Sequence, residues 1–280
     1  MRVPQAMQNR APGSFSVPQW GQAVRAMSSG GYGPGARMPL IRKGPMLFSG
    51  ASGALPSIVG GSELNELLLR AMLVIAAYLA GSIPVGVIVA RVSGGPDPRS
   101  VGSGRTGGTN ALRALGRKWA ALVVAGDLAK GALPVLLTRW LTGGDSVAEV
   151  LVAGAAVAGA VRSIFLQFQG GRGVGTGVGT MLVIQPLAVV LAAPVFFLVI
   201  LATRYVSLGS LLGSAAMFPA MLLIWAVASG WVPPAYLLWG AVGPVLIWLA
   251  HADNIERLLH GKERKFDLGL ITGGTRRGGT

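Results

Sequence analysis

Six long runs of apolar residues follow one another from residue 67 onward, each about as long as a membrane-crossing helix. The runs cover residues 67–92, 119–140, 147–168, 177–203, 208–228 and 232–251. A helix needs about 20 apolar residues to cross the hydrocarbon core of a bilayer. The pattern therefore predicts an all-α integral membrane protein.

The composition supports the same fold class. Charged residues make up 12% of the chain, whereas an ordinary globular protein carries roughly 25%. The net charge is nevertheless +14, from 24 Lys and Arg against 10 Asp and Glu. In so apolar a chain this charge indicates contact with lipid headgroups or phosphorylated substrates, and we expect no nucleic-acid partner.

The sequence contains no cysteine and only two histidines. The lack of cysteine excludes disulfides, thiolate metal sites and a cysteine nucleophile. Two histidines are too few for a multi-histidine metal cluster. We therefore expect no thiolate or multi-histidine metal site.

Both ends of the chain differ from the apolar middle. Residues 1–62 contain 11 glycines, 7 prolines and no acidic residue, a composition typical of disordered sequence. They lack the apolar run of a secretory signal. We expect a disordered basic tail over 1–62, a membrane domain over 63–268 and a flexible basic tail over 269–280.

Charged residues between the apolar runs predict the orientation in the membrane. The stretch 91–118 carries six basic residues against Asp97, so it should lie in the cytoplasm, and the link 142–148, with no basic residue, should lie outside. The basic C-terminal residues reach the cytoplasm only if Pro186 divides the run 177–203 into two short helices. This arrangement gives seven transmembrane helices, with the N-terminus outside and the C-terminus inside.

In that topology several polar turns meet at the cytoplasmic face. The first lies at 101–113, where glycines permit positive φ angles and direct backbone N–H groups toward an anion. Its candidate phosphate-binding groups are Gly102, Ser103, Gly104, Arg105, Thr106, Thr109, Asn110 and Arg113. The alternative interpretation is a flexible connector between helices.

A second turn places one arginine among glycines. The guanidinium of Arg172 can bind phosphate through two N–H groups. The neighbouring candidates are Gly170, Gly171, Gly173 and Thr176. Gly171, Gly175 and Gly179 also have the spacing of close helix packing, which is the alternative function of these glycines.

The remaining candidates lie within or at the ends of apolar runs. Lys130 lies near Asp127 in the second run, where a charge needs a partner or a polar cavity, so the two form either a structural pair or part of a phosphate cavity. Ser207 and Ser210 share a helical face, unless one of them only caps a helix. His251 could be a general base, a phosphate ligand or an interfacial histidine, and Asn254 follows it on the same face.

These motifs, in this order, resemble the bacterial membrane acyl-phosphate:glycerol-3-phosphate acyltransferase family. No single motif is specific, but the ordered set is, and the resemblance extends over about residues 67–265. The motifs are Gly81-Ser82-Ile83-Pro84, Gly102-Ser103-Gly104, Thr109-Asn110, Arg113, Asp127, Lys130-Gly131, Phe165-Leu166, Gly170-Gly171-Arg172-Gly173-Val174, Arg204-Tyr205-Val206-Ser207-Leu208, Asn254-Ile255 and Arg257-Leu258-Leu259.

The resemblance implies a seven-helix enzyme of the bacterial plasma membrane with its active site facing the cytoplasm. It implies acyl transfer from acyl phosphate to glycerol 3-phosphate, without acyl-CoA, acyl carrier protein, metal or other cofactor, and it leaves the oligomeric state open. The donor's own phosphate is then a candidate acceptor for the hydroxyl proton. The implied catalytic residues are Ser103, Arg113, Arg172, Ser210, His251 and Asn254, and the implied substrate-binding residues are Gly102, Gly104, Thr109, Asn110, Lys130, Gly170, Gly171, Gly173, Thr176 and Ser207.

The sequence departs from the family pattern at five positions. Arg105 stands where asparagine is common, and Ala160 and Arg162 replace a histidine and an aromatic residue. Gln169 and Arg172 replace a lysine pair, and arginine binds an anion with a different geometry from lysine.

Two other functions fit the composition. A transporter for an anionic solute would also use broken helices and glycine-lined turns, but its binding groups should lie near the middle of the bilayer. A purely structural membrane scaffold leaves the ordered polar turns unexplained.

Overall fold

The computed structural model describes residues 61–228 and 232–272, and all regular secondary structure in these residues is helical. The predicted N-terminal tail falls outside the described residues, apart from residues 61 and 62, which already belong to the first helix. The predicted C-terminal tail is described only for the short helix Gly269–Thr272. The disorder of the two tails and the domain limits stay predictions.

Twelve α-helices and two short 3-10 helices make up the described chain. The α-helices are α1 Gly61–Ser82, α2 Val85–Ser93, α3 Gly108–Leu115, α4 Arg117–Thr142, α5 Ser146–Val161, α6 Val174–Ile184, α7 Pro186–Thr203, α8 Val206–Ala215, α9 Met217–Val227, α10 Pro234–Ala250, α11 Ala252–Leu259 and α12 Gly269–Thr272. The 3-10 helices are Pro98–Ser100 and Ile164–Leu166.

Five of the described helical segments are long and apolar enough to cross a membrane. They are Ser62–Ser82, Arg117–Thr142, Ser146–Leu166, Pro186–Thr203 and Val206–Val227. Helices α10 and α11, which meet at 68°, make a sixth if the bent pair is one span, and α6 is a shorter apolar helix. The all-α fold is thus confirmed for the described residues, which include helices apolar enough for a membrane, while the count of seven crossings stays a prediction.

The predicted division of the run 177–203 is confirmed. Helix α6 ends at Ile184 and α7 begins at Pro186. Proline suits the first position of a helix, because its missing N–H would find no partner there in any case. The two halves are unequal, at 11 and 18 residues.

Two other runs that we expected to form single helices are interrupted. The run 67–92 breaks between Ser82 and Val85, since Pro84 cannot donate a backbone hydrogen bond in the middle of a helix. The run 208–228 changes from α8 to α9 at Ala216, three residues before Pro219. Proline disfavours continuation of the preceding turn in the same way.

Close backbone contacts fix α4 against α6, and thereby the turn that precedes α6. A Cβ atom at Gly131 would lie 2.1 Å from the carbonyl oxygen of Thr176, and one at Gly179 would lie 2.1 Å from that of Leu128. Only glycine permits this approach, which is the packing typical of membrane helices. The packing interpretation of Gly179 is therefore correct for the helix, while Gly171 lies in the turn.

A buried ionic cluster joins α4, α5 and α10 away from these turns. The fully buried carboxylate of Glu149 accepts hydrogen bonds from Arg139 Nη2 and from the Tyr236 hydroxyl, both at 2.7 Å. A charge in an apolar interior is stable only when paired in this way. The cluster thus links three helices of the bundle.

Candidate active site

A cavity of about 530 Å³ lies between the helices that carry the predicted turns. One end is lined by polar and charged side chains from the two glycine-rich turns, from α8 and α11, and from the segment after α11, residues 260–268. The other end is apolar and includes Met181, Met217 and Trp239. Such a cavity can hold a molecule with an anionic head and an apolar tail.

The first glycine-rich turn is organised around Asn110. This buried side chain donates from Nδ2 to Ser103 Oγ at 3.1 Å and to the Arg105 carbonyl oxygen at 2.9 Å. Its Oδ1 accepts from Arg113 Nη1 at 3.1 Å. Gly102, with φ of 58°, allows the backbone to pass close to this amide, because a Cβ atom there would lie 2.3 Å from Asn110 Oδ1.

The second turn brings Arg172 to the same place. Its Nη1 donates to Ser103 Oγ at 3.2 Å, and its Nη2 forms an ion pair with Asp253 at 2.9 Å. Its Nε is buried and has no hydrogen-bond partner among the described residues. That N–H remains available to an anion.

Burial lowers the pKa of Arg172, and the Asp253 carboxylate opposes this shift. Burial also lowers the pKa of Arg113, and the positive charge of Arg264 acts in the same direction. An arginine side chain nevertheless stays protonated in a protein. Two partly desolvated positive charges, Arg113 and Arg172, thus flank the Ser103–Asn110 pair, and both line the cavity.

A third group of side chains surrounds the carboxylate of Glu263. Ser207 Oγ donates to Glu263 Oε1 at 2.9 Å, and Asn254 Nδ2 donates to the same oxygen at 2.7 Å. Arg257 Nε donates to Oε2 at 2.8 Å. The predicted residues Ser207 and Asn254 therefore meet in one hydrogen-bonded cluster.

His251 and Ser210 also line the cavity, and each has a bond to its own helix. The Nδ1 of His251 lies 2.7 Å from the Ile247 carbonyl oxygen. A carbonyl only accepts, so Nδ1 carries the proton, and Nε2 of the neutral ring is an acceptor. Ser210 Oγ donates to the Val206 carbonyl oxygen at 3.0 Å. The cap of α8 is Tyr205, so neither Ser207 nor Ser210 is the helix cap of the alternative interpretation.

Both interpretations of Lys130 agree with its position. Its Nζ lies 2.9 Å from Asp127 Oδ1, and both residues line the cavity. The pair is thus an internal ion pair and part of the cavity wall.

Most of the predicted site residues come together around this cavity. Those that line it are Ser103, Thr109, Asn110, Arg113, Lys130, Gly171, Arg172, Gly173, Thr176, Ser207, Ser210, His251 and Asn254. Three do not line it: Gly102 and Gly104, which have positive φ in the first turn, and Gly170, whose carbonyl oxygen accepts from Arg105 Nη1 at 3.3 Å. Arg105 thus joins the two turns and lines the cavity.

The sequence analysis missed the contribution of the segment after α11. Glu263 and Arg264 line the cavity, and Arg264 donates to the Gly102 carbonyl oxygen. The backbone N–H of Phe266 donates to the Arg204 carbonyl oxygen at 2.6 Å and anchors the segment. The basic residues of this segment predict only the orientation in the membrane. The available signal for a site residue was Glu263, an acidic residue between Lys262 and Arg264.

Comparison with known proteins shows which family the chain resembles. The glycerol-3-phosphate acyltransferase family model matches residues 71–261. A glycerol-3-phosphate acyltransferase of Anaeromyxobacter sp. (strain Fw109-5) is 42% identical, with 72% of this chain and 98% of that protein covered. One of Geobacter sulfurreducens is also 42% identical, with the same coverage.

Two crystal structures resemble the fold. Both are of PlsY (YgiH), an integral membrane glycerol 3-phosphate acyltransferase, in its glycerol 3-phosphate and lysophosphatidic acid forms. The first has a TM-score of 0.66 and 35% identity, covering 74% of this chain and all of that one. The second has a TM-score of 0.65. These matches confirm the resemblance seen in the motifs, and the chain belongs to the glycerol-3-phosphate acyltransferase family of integral membrane proteins.

Proposed function

We propose that this glycerol-3-phosphate acyltransferase uses acyl phosphate as its donor. A hydroxyl oxygen of glycerol 3-phosphate, at position sn-1, attacks the acyl carbon. The new ester C–O bond forms as the bond between the acyl carbon and the phosphate oxygen breaks. The products are 1-acyl-glycerol 3-phosphate and inorganic phosphate, in the first step of phospholipid synthesis.

The observation that carries this proposal is the meeting of Arg113 and Arg172 across the Ser103–Asn110 pair. Two guanidinium groups from separate turns can balance the charges of two phosphorylated substrates. An acyl phosphate already has a good leaving group, so the enzyme has mainly to position it and stabilise charge. The unpartnered Nε of Arg172 is a donor suited to a phosphate oxygen.

The acceptor of the hydroxyl proton is the phosphate released from the donor. The two carboxylates that line the cavity are each held by a basic side chain, Asp127 by Lys130 and Glu263 by Arg257. His251, with Nε2 as an acceptor, orients the hydroxyl by a hydrogen bond.

The apolar end of the cavity receives the fatty chain. Trp239 lies twelve residues before His251 on the same helical path, which corresponds to about 18 Å at 1.5 Å per residue. Half of the hydrocarbon core of a bilayer is about 15 Å thick. The cavity therefore suits the chain of an ordinary membrane lipid.

We place the polar end of the cavity at the cytoplasmic face of the bacterial plasma membrane. The basic residues of 91–118 and of the segment after α11 favour this orientation, with seven membrane segments, the N-terminus outside and the C-terminus inside. The transporter alternative is less favoured, because most of the polar groups that line the cavity lie in turns and at helix ends, and only the Asp127–Lys130 pair lies within a long helix.

The test is a product assay with purified protein. With acyl phosphate and glycerol 3-phosphate, we expect equal amounts of inorganic phosphate and 1-acyl-glycerol 3-phosphate, and no product with acyl-CoA. Arg172→Ala should lower kcat/KM at least a hundredfold and leave a measurable residual rate, while Arg91→Ala, at an exposed arginine outside the cavity lining, should not change it. Product formation from acyl-CoA alone would contradict the proposed donor.

A further inference from the structure

The segment after α11 places one acidic side chain inside the polar end of the cavity. The chain turns at Gly261, with φ of 65°, and the side chain of Glu263 is then only 8% exposed. Its two oxygens accept hydrogen bonds from three donors on two helices: Ser207 on α8, and Asn254 and Arg257 on α11. Glu263 is therefore held rigidly between two walls of the site.

This arrangement determines which way the amide of Asn254 faces. An ionised carboxylate can only accept hydrogen bonds, so the amide nitrogen of Asn254 has to face Glu263. The carbonyl oxygen of Asn254 is then turned away from Glu263. It is buried and has no hydrogen-bond partner within the part of the chain that the structure describes, although Asn254 lines the cavity and is only 2% exposed.

A buried acceptor without a partner indicates a missing donor. The oxygens of a phosphate group are acceptors, so they would not satisfy Asn254 Oδ1, whereas an alcohol O–H would. In the proposed reaction the substrate that brings alcohol groups to this cavity is glycerol 3-phosphate.

On the basis of the proposed function, we infer that Glu263 is a positioning residue for the acceptor substrate. It holds the Asn254 amide so that Oδ1 accepts a hydrogen bond from a hydroxyl of glycerol 3-phosphate. Asn254 contacts the substrate, and Glu263 acts through Asn254.

The inference predicts a specific failure in Glu263→Gln. The glutamine keeps an acceptor for Arg257 by presenting its amide nitrogen to Asn254. The Asn254 amide must then rotate to offer its oxygen to that nitrogen, and it presents N–H groups to the cavity in place of Oδ1. The hydroxyl of the substrate loses its acceptor.

The same reasoning predicts a rescue by a second substitution. In the double variant Glu263→Gln with Asn254→Asp, the aspartate accepts from the glutamine amide with one oxygen and keeps the other as an acceptor in the cavity. The total charge equals that of the unmodified protein. Asn254→Asp alone places two carboxylates side by side and should not be active.

The experiment compares steady-state kinetics of the four proteins with purified enzyme, varying each substrate in turn. In Glu263→Gln the KM for glycerol 3-phosphate should rise about tenfold, the effect expected from an unmet hydrogen bond, while the KM for acyl phosphate changes less than twofold. In the double variant Glu263→Gln with Asn254→Asp, the KM for glycerol 3-phosphate should return most of the way to that of the unmodified protein. Glu256→Gln, the same change at an exposed position of α11, should have no effect.

The outcomes separate this inference from the proposed function. No turnover by the unmodified protein would defeat the proposed function itself. Normal turnover with an unchanged KM for glycerol 3-phosphate in Glu263→Gln would overturn the positioning role. Equal increases in both KM values, or a double variant no better than Glu263→Gln, would likewise overturn it, since they indicate general damage. Thermal unfolding of each variant checks that it is folded.

Discussion

Arg172 donates a hydrogen bond of 3.2 Å to the hydroxyl of Ser103, which lies 69 residues earlier in the chain. This bond joins the two glycine-rich turns, and Asn110 extends it to Arg113 through its amide. Positive charge from distant parts of the sequence thus gathers at one end of a cavity whose other end is apolar.

Arg172→Lys should lower kcat/KM only about tenfold, because the charge is kept and the family pattern has a lysine at this position. Lysine keeps the charge, but it cannot contact Ser103, Asp253 and a phosphate oxygen together through one planar fork, and lost hydrogen bonds to charged groups have effects of this size. Initial rates of phosphate release measure the loss. Activity within threefold of the unmodified protein would mean that charge alone matters at this position.

His251→Gln should lower kcat less than tenfold, because in our account the released phosphate, and not the imidazole, takes the proton. Loss of a general base would cost about 10²- to 10⁴-fold, so the kcat at saturating substrate distinguishes the two roles. His260→Gln, at the other histidine of the chain, is the matched control, since His260 is exposed and does not line this cavity.

Trp239→Ala should shift the donor preference toward longer acyl chains. The buried indole is part of the apolar lining of the cavity, and its Nε1 donates to Thr180 Oγ1 at 3.2 Å. Each additional methylene that the enlarged cavity buries contributes about 0.8 kcal/mol, or roughly a fourfold gain in kcat/KM. A series of acyl phosphates of increasing length provides the measurement.

Trp248→Ala is the control for that series. Trp248 lies on the same helix, is partly exposed and is outside this cavity, so its replacement should leave the preferred chain length unchanged. The same shift in both variants would show that Trp239 does not limit the cavity.

Arg139→Met should destabilise the protein by about 3–5 kcal/mol, because it leaves the fully buried Glu149 carboxylate without its ion-pair partner. The double change Arg139→Met with Glu149→Leu should lower the free energy of unfolding by less, since it removes both charges together. Thermal unfolding in detergent measures both effects. None of the three residues of this cluster lines the cavity, so the folded fraction should keep its KM values.

The sequence predicted those features that depend on local chemistry. Apolar length predicted the membrane helices, Pro186 predicted the division between α6 and α7, and the glycine and arginine turns predicted the polar end of the cavity. The break at Pro84 was missed because apolar runs alone do not show where a helix changes direction. At Pro186 the charge rule gave a second reason to expect a division, and no such reason applied at Pro84.

Glu263 and Arg264 could not be predicted in the same way. Their placement depends on the path of the chain after α11, which is set by the bond from Phe266 to Arg204 and by the turn at Gly261. These contacts join residues far apart in sequence. Arg105 was similarly ambiguous, because only the fold brings it to the carbonyl oxygen of Gly170.

A double-mutant cycle between Arg113→Ala and Arg172→Ala, read as kcat/KM for glycerol 3-phosphate, tests the common anion site most directly. Each single variant lowers kcat/KM by some factor, and independent effects would multiply. If both arginines act on substrates in one cavity, the double variant should lower kcat/KM by a factor at least fivefold smaller than that product, a coupling free energy of about 1 kcal/mol. Losses that simply multiply would place the two arginines in independent sites and contradict the account.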